Sequence, residues 1–230
     1  MVSRPRRLLA EFLGALLVTA VVIGSGITAQ RLSPHNGGLE LTENALATAL
    51  GLFGIIAAFS PISGAHLNPV ISLVDAALGR RRWLDAAAYI PTQVVGCVVG
   101  AILANVMFGR LAISISTKDR LTPPHFLSEI VATAGLILIV FLLARSDHHR
   151  LTAAAVGAYI GAAYLFTSSS SFANPAITIG RMFSDTFAGI APSSVLGFIA
   201  AQLIGGSVGL VLVRLLTPAP RPQLKEGMNR

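Results

Sequence analysis

"SFANPAITIGR", residues 171–181, ends a run of serines with an Asn-Pro-Ala inside a strongly apolar chain. Continued as a crossing helix, this stretch would be costly. Pro175 lacks an N–H and clashes with the preceding turn, and the Asn174 amide would sit unpaired in hydrocarbon. Both residues suit a helix start instead: proline fits the first turn and asparagine is a good cap. The stretch therefore predicts a short helix that begins at Asn174 with its amino end near the bilayer midplane. The polar run Thr167, Ser168, Ser169, Ser170, Ser171 leads into it. Irregular backbone at that depth survives only when protein buries it or when it lines a watery cavity. Residues 167–184 are expected to dip in and return on the same side.

The rest of the chain supports a membrane setting. Of its 230 residues 53% are hydrophobic and 12% charged, and the mean hydropathy is +0.73, beyond what a soluble domain of this size carries. A crossing helix needs about 20 apolar residues, and six segments qualify: 8–29, 41–60, 83–108, 126–144, 151–168 and 193–216. Two shorter apolar pieces, 68–78 and 174–184, each begin at an Asn-Pro. Arg4, Arg6 and Arg7 ahead of an apolar run suggest a signal peptide, but Leu8–Ala29 is longer than a signal's apolar region and no cleavage site follows, so it is read as the first span.

The net charge of +7 comes from short basic clusters between apolar runs, which speaks for topology and against nucleic-acid binding. With both termini inside, 12 of the 17 basic residues fall on the inner side, and Arg31, Arg110, Lys118, Arg120 and Arg181 fall on the outer. That bias puts both termini in the cytoplasm of a cell with the chain in its inner membrane. The single cysteine, Cys97, has no internal partner and reads as a packing residue.

Two halves recur. "YIPTQVVGCVVG" (89–100) and "FIAAQLIGGSVG" (198–209) share Ile, Gln, Gly, Val and Gly in register, Asn68-Pro69 recurs as Asn174-Pro175, and Glu11 recurs as Glu129. The polar seam "AISISTKDRLTPP" (112–124) divides repeat one (about 8–111) from repeat two (about 125–216), with 217–230 as a cytoplasmic tail of one single domain. Three spans per half is an odd number, so the second half is inverted in the membrane. Each half then sends one half-helix to the midplane, from opposite faces.

On these residues the chain resembles the aquaporin, or major intrinsic protein, family. The carriers are "AEFLGALLV" (10–18), "SGAHLNPV" (63–70), "YIPTQVVG" (89–96), Glu129 and "SFANPA" (171–176). The resemblance implies an all-α bundle of six transmembrane helices and two re-entrant half-helices, four protomers to an assembly, and a pore in each. It implies central amide donors at Asn68 and Asn174, with Pro69 stacked on Pro175. Val70 stands where the family usually has an alanine like Ala176, which adds bulk. Backbone carbonyls of Gly64, Ala65, His66, Leu67, Ser170, Phe172 and Ala173 would form an acceptor ladder, and Glu11 and Glu129 would hold the loops by accepting their N–H groups. His66 would contribute its backbone, not its imidazole. The glycine pairs 96/100, 157/161 and 205/209 read as close-packing faces.

One departure bears on selectivity. Most of the family has an arginine directly after the second Asn-Pro-Ala; here that residue is Ile177, and Arg181 follows one turn later, on the same helix face. Counting back from the two boxes puts Thr48 and Ala162 at the remaining filter positions, with Ser171 as the fourth. Thr178 replaces the aspartate of glycerol facilitators. The set Thr48, Ala162, Ser171 and Ile177 implies a wide, weakly charged constriction passing small neutral solutes and water. It resembles a bacterial branch associated with arsenic-resistance gene neighbourhoods, which implies neutral metalloid hydroxides, arsenite and antimonite, among the expected solutes. No cofactor, metal or catalytic group is expected. An ion-coupled transporter could also use inverted repeats and broken helices, but it needs ion ligands, and besides the two glutamates only Asp75 and Asp185 lie near the spans. An intramembrane enzyme built on His66, Ser171 and a glutamate has no hydrogen-bonding spacing to support it.

Overall fold

The computed structural model describes residues 2–146 and 148–217. Apart from Thr217, the tail expected at 217–230 lies outside the described residues. Eight α-helices are present among the described residues: α1 (Arg4–Leu32), α2 (Gly37–Ser63), α3 (Pro69–Ala77), α4 (Trp83–Met107), α5 (Pro123–Leu143), α6 (Thr152–Phe166), α7 (Pro175–Gly180) and α8 (Pro192–Leu216). Short 3₁₀ turns at His149–Leu151 and Arg181–Phe183 precede α6 and extend α7.

α1 and α2 overrun their apolar windows at both ends and α5 at its head, and in α2 and α5 a capping group marks the start. The Asn36 side chain accepts from Leu39 N at the head of α2, and Thr122 accepts from His125 N ahead of the prolines that open α5. With 29 residues, α1 is about 44 Å long, so its ends stand clear of the hydrocarbon. Five helices are long and apolar enough to cross on their own. The sixth predicted span is shorter: α6 has 15 residues, or about 22 Å. The chain leaves it early at Thr167, whose backbone turns extended while its hydroxyl bonds Ala163 O at 2.6 Å.

The helices pack mainly against others from the same half of the chain. In the first half, α1 lies against α2 and α4; in the second, α5 lies against α6 and α8; α2 meets α6 across the seam. Glycines set the close approaches: a Cβ on Gly100 would lie 2.2 Å from Leu16 O, and one on Gly205 would lie 2.5 Å from Ile130 O. Six crossings bring the start of α1 and the end of α8 to one side, called the terminal side below. The half-helix α3 enters from that side and α7 from the far side. They touch at the middle, flanked by two apolar clusters, one with Ile23, Leu67, Cys97 and Ala176, the other with Val70, Ile137, Ile160 and Tyr164.

Candidate functional site

The segments that lead into α3 and α7 hold conformations that L-residues avoid. Positive φ occurs at Gly64 (94°), Ala65 (47°) and Leu67 (49°), and again at Ser170 (59°), Ser171 (45°) and Ala173 (47°). Each non-glycine case costs roughly 1–2 kcal/mol and persists only where the surroundings over-determine it. Two buried carboxylates do so. Glu11 accepts four hydrogen bonds, from Ser63 Oγ (2.6 Å), His66 N (3.0 Å), Leu67 N (2.8 Å) and Gln93 Nε2 (2.7 Å). Glu129 accepts the matching four, from Ser169 Oγ (2.6 Å), Phe172 N (2.9 Å), Ala173 N (2.9 Å) and Gln202 Nε2 (2.8 Å). A carboxylate with four donors is satisfied even at zero exposure.

These bonds also aim the carbonyls. In a trans peptide the C=O points opposite to the N–H that follows it. With the N–H groups of 65, 66 and 67 turned toward Ser63 and Glu11, the carbonyls of Gly64, Ala65 and His66 turn away from them. The N–H groups of 171, 172 and 173 do the same for Ser170, Ser171 and Phe172. The last carbonyl of each segment is taken: Leu67 O accepts from Asn174 Nδ2 and Ala173 O from Asn68 Nδ2, both at 2.8 Å. Each asparagine meanwhile spends its Oδ1 on its own half-helix, Asn68 on Val70 N and Asn174 on Ala176 N and Ile177 N. One N–H of each amide is left over.

That remaining donor faces a cavity of about 490 Å³. Its wall includes Gly64, Ala65, His66, Leu67 and Asn68 from one half, and Ser171, Phe172, Ala173, Asn174 and Ile177 from the other. Pro69, Val70, Pro175 and Ala176 are buried behind it, and Ser170 is not on the wall. Two helix rows add to the lining: Thr48, Leu52, Ile56 and Ser60 of α2, and Thr152, Val156, Ile160 and Tyr164 of α6, and Asp75, Arg80 and Arg81 line it as well. Both rows step by four residues, as one face of a helix must.

This periodicity corrects one expectation. Ala162 lies two residues from Ile160 and from Tyr164, about 200° around the helix, and is exposed on the outer surface. Ala162 stands 12 residues before Asn174 and Tyr164 stands 10, so both lie at nearly the same depth; distance from a box sets depth along the helix and not the face that looks inward. Tyr164 takes the place on the wall, its hydroxyl 3.4 Å from Thr48 Oγ1. Arg181 is on the wall too, its guanidinium 3.4 Å from the centre of the Phe172 ring and its Nε bonded to Ala188 O.

Several participants escaped the sequence reading. Ser63 and Ser169 buttress the glutamates, and Ser72 and Thr178 bridge Gln93 and Gln202 to the half-helices at 3.1 and 2.9 Å. All four obey the spacing of the Asn-Pro boxes, so the repeat itself was the available signal. At the terminal mouth the His66 imidazole is engaged after all: Nδ1 lies 3.0 Å from Ser72 Oγ and Nε2 3.3 Å from Asp75. Arg80 and Arg81 pair with the same carboxylate at 3.3 and 3.2 Å.

Comparison with known proteins agrees with this geometry. Residues 1–171 match the family model described as "Major intrinsic protein". The chain is 42% identical over 221 residues to the aquaglyceroporin AqpS of Rhizobium meliloti (strain 1021), covering 96% of this chain and 94% of that protein. It is 27% identical over 228 residues to the probable aquaporin NIP7-1 of Arabidopsis thaliana, covering 94% and 78%. Among solved structures it is similar to the aquaglyceroporin from Plasmodium falciparum, with a TM-score of 0.68 and 23% identity over 92% of this chain and 94% of the other, a likeness of fold.

Proposed function

Because the chain belongs to the major intrinsic protein family, a family of channels and not of enzymes, we propose that it is a passive pore for water and small uncharged solutes. Its constriction admits polyhydroxy molecules such as glycerol and the neutral hydroxides of arsenic and antimony. One observation carries this reading. The spare N–H groups of Asn68 and Asn174 open onto one cavity whose wall also carries the aliphatic side chains of Val22, Leu52, Ile56, Val156 and Ile160. A neutral hydroxylated solute can exchange bulk water for these donors and the loop carbonyls. An ion cannot recover its hydration there, and the amino ends of two half-helices oppose cations at the centre.

Ile177 on the wall, where a charged side chain would narrow the passage, supports solutes larger than water, and so does the name of the Rhizobium meliloti relative. Passive flux is favoured over coupling, since Asp75 is spent on His66, Arg80 and Arg81, and Asp185 accepts from Thr117 N. The basic-residue bias supports a cytoplasmic terminal side, with the protein in the inner membrane. A homotetramer is proposed on the exposure of α2, whose most apolar window is 11% buried within the chain against 56% for α1.

Stopped-flow light scattering on reconstituted vesicles tests the proposal. Water, glycerol and arsenite should all cross faster than in empty liposomes, without saturation. Permeability equal to that of empty liposomes would remove it. Ile177→Arg should slow glycerol and arsenite more than water.

A further inference from the structure

Among the described residues Arg181 has no ion-pair partner, although it heads the largest fully buried side chains. A buried charge without a counter-ion is costly unless something else needs it. Its hydrogen bonds show what is left over. Nε donates to Ala188 O, and the guanidinium plane lies on the Phe172 ring. Among the described residues the Tyr164 hydroxyl is the side-chain acceptor beside the guanidinium, and no carbonyl or carboxylate takes the Nη hydrogens, which are nonetheless not sealed from the cavity. They open onto the cavity that Arg181 lines.

The side chain is also held firmly. Phe172 is anchored through its N–H to Glu129 at 2.9 Å and edge-on against Phe198 at 5.0 Å. The chain that supplies Ala188 O is itself tied by Arg120, which donates to Gly189 O and Phe187 O at 2.7 Å. Arg181 is the fourth residue after Ile177, on the same face and one turn toward the far side. The Tyr164 hydroxyl stands beside it.

We propose that Arg181 is the charge-bearing selectivity residue of this pore: from one turn beyond Ile177 it bars protons and cations, while its Nη groups hydrogen-bond the hydroxyl oxygens of passing solutes. The assignment rests on the channel reading above. Moving the cation outward leaves an uncharged level at Ile177 and a charged one above it, so size and charge are screened at different depths.

The test measures two quantities on the same proteoliposomes: glycerol flux by light scattering, and proton influx by an entrapped pH dye under a valinomycin potential. Arg181→Gln should raise proton conductance roughly tenfold or more, as expected for loss of a nearby like charge in a low-dielectric site, and, with the fork of donors gone, should lower the glycerol-to-water ratio. Adding Ile177→Arg to that variant should restore the barrier. Unchanged proton conductance in a conducting Arg181→Gln protein overturns the assignment. Should Arg181→Gln not fold, Arg181→Lys decides. It keeps the charge but loses the fork of donors, so the barrier should stand and the glycerol-to-water ratio should fall; an unchanged ratio overturns the assignment. Wild-type protein without water or glycerol flux overturns the channel reading itself, a result distinct from all of these.

Discussion

Val70 of the first half-helix seats its side chain in the notch left by Gly206 of α8: a Cβ on Gly206 would lie 2.3 Å from Val70 Cγ1. In the repeat Gly206 corresponds to Cys97, and Val70 to Ala176, which packs in one cluster with that cysteine. One half thus pairs a larger residue on the half-helix with none on the bundle, and the other pairs a smaller one with a thiol. The extra bulk at Val70 is absorbed where α3 meets α8.

A size swap of this kind predicts coupling. Gly206→Cys alone should overpack the contact and cost about 1–3 kcal/mol, read as a lower melting temperature of the detergent-purified protein. Val70→Ala alone should leave a void. Combined, the two should recover most of the loss, because they recreate the pairing of the other half; simple additivity would refute the compensation.

Glu11 and Glu129 make a second prediction. Each receives two backbone N–H groups, a serine hydroxyl and a glutamine amide. Glutamine at either position keeps the shape but turns one acceptor into a donor facing another donor. One orphaned buried donor costs about 1–3 kcal/mol. Glu11→Gln and Glu129→Gln should therefore lower thermal stability by similar amounts, and hydrogen exchange should rise first at residues 66–67 or 172–173. Equal exchange in wild type and variant would show that the carboxylates do not hold the loops.

Elements that report through local chemistry were legible in the chain. Asparagine-proline marks a helix start whatever surrounds it, and apolar length marks a span, so α3, α7 and the long helices follow from residues alone. The repeat located Glu11 and Glu129 because each half supplied a check on the other. Azimuth around a helix was not legible at α6, where distance from Asn174 gives the depth of Ala162 but not the face it occupies. The surroundings of Arg181 were hidden for a different reason. They depend on Ala188 O, Phe172 and Tyr164, brought together by tertiary packing with no sequence spacing to announce it.

Tyr164 and Ala162 therefore form a matched pair of probes. Tyr164 lines the cavity and touches Thr48 through its hydroxyl, whereas Ala162 faces outward. Tyr164→Phe should alter the glycerol-to-water ratio. Ala162→Phe should change stability by no more than about 0.5 kcal/mol and leave that ratio untouched. A reversed pattern in vesicle flux would place α6 in the other rotation.

Lys118, in the far-side loop between α4 and α5, carries the pH dependence. Although the residue is exposed, its pKa is pulled down to about 8, first by partial desolvation of the amine, then by the positive charges of Arg120 and Arg181. In the folded state its ammonium donates to Phe187 O at 3.1 Å and lies 4.7 Å from the Phe187 ring centre, contacts that do not offset the repulsion. The unfolded chain holds this proton up to the ordinary lysine value of about 10.4. Between about pH 8 and that value the unfolded state binds more protons than the folded one, so stability rises with pH across this window. Below pH 8 both states are protonated and the penalty is constant. Melting temperature measured from pH 7 to 10 should climb above pH 8 in the wild type. Lys118→Met should lie higher at pH 7 and lose the climb, because it removes the third cation while leaving Arg120 and Arg181 charged throughout. Parallel curves for the two proteins would show that Lys118 is solvated in the ordinary way and that the far-side cations do not act on one another.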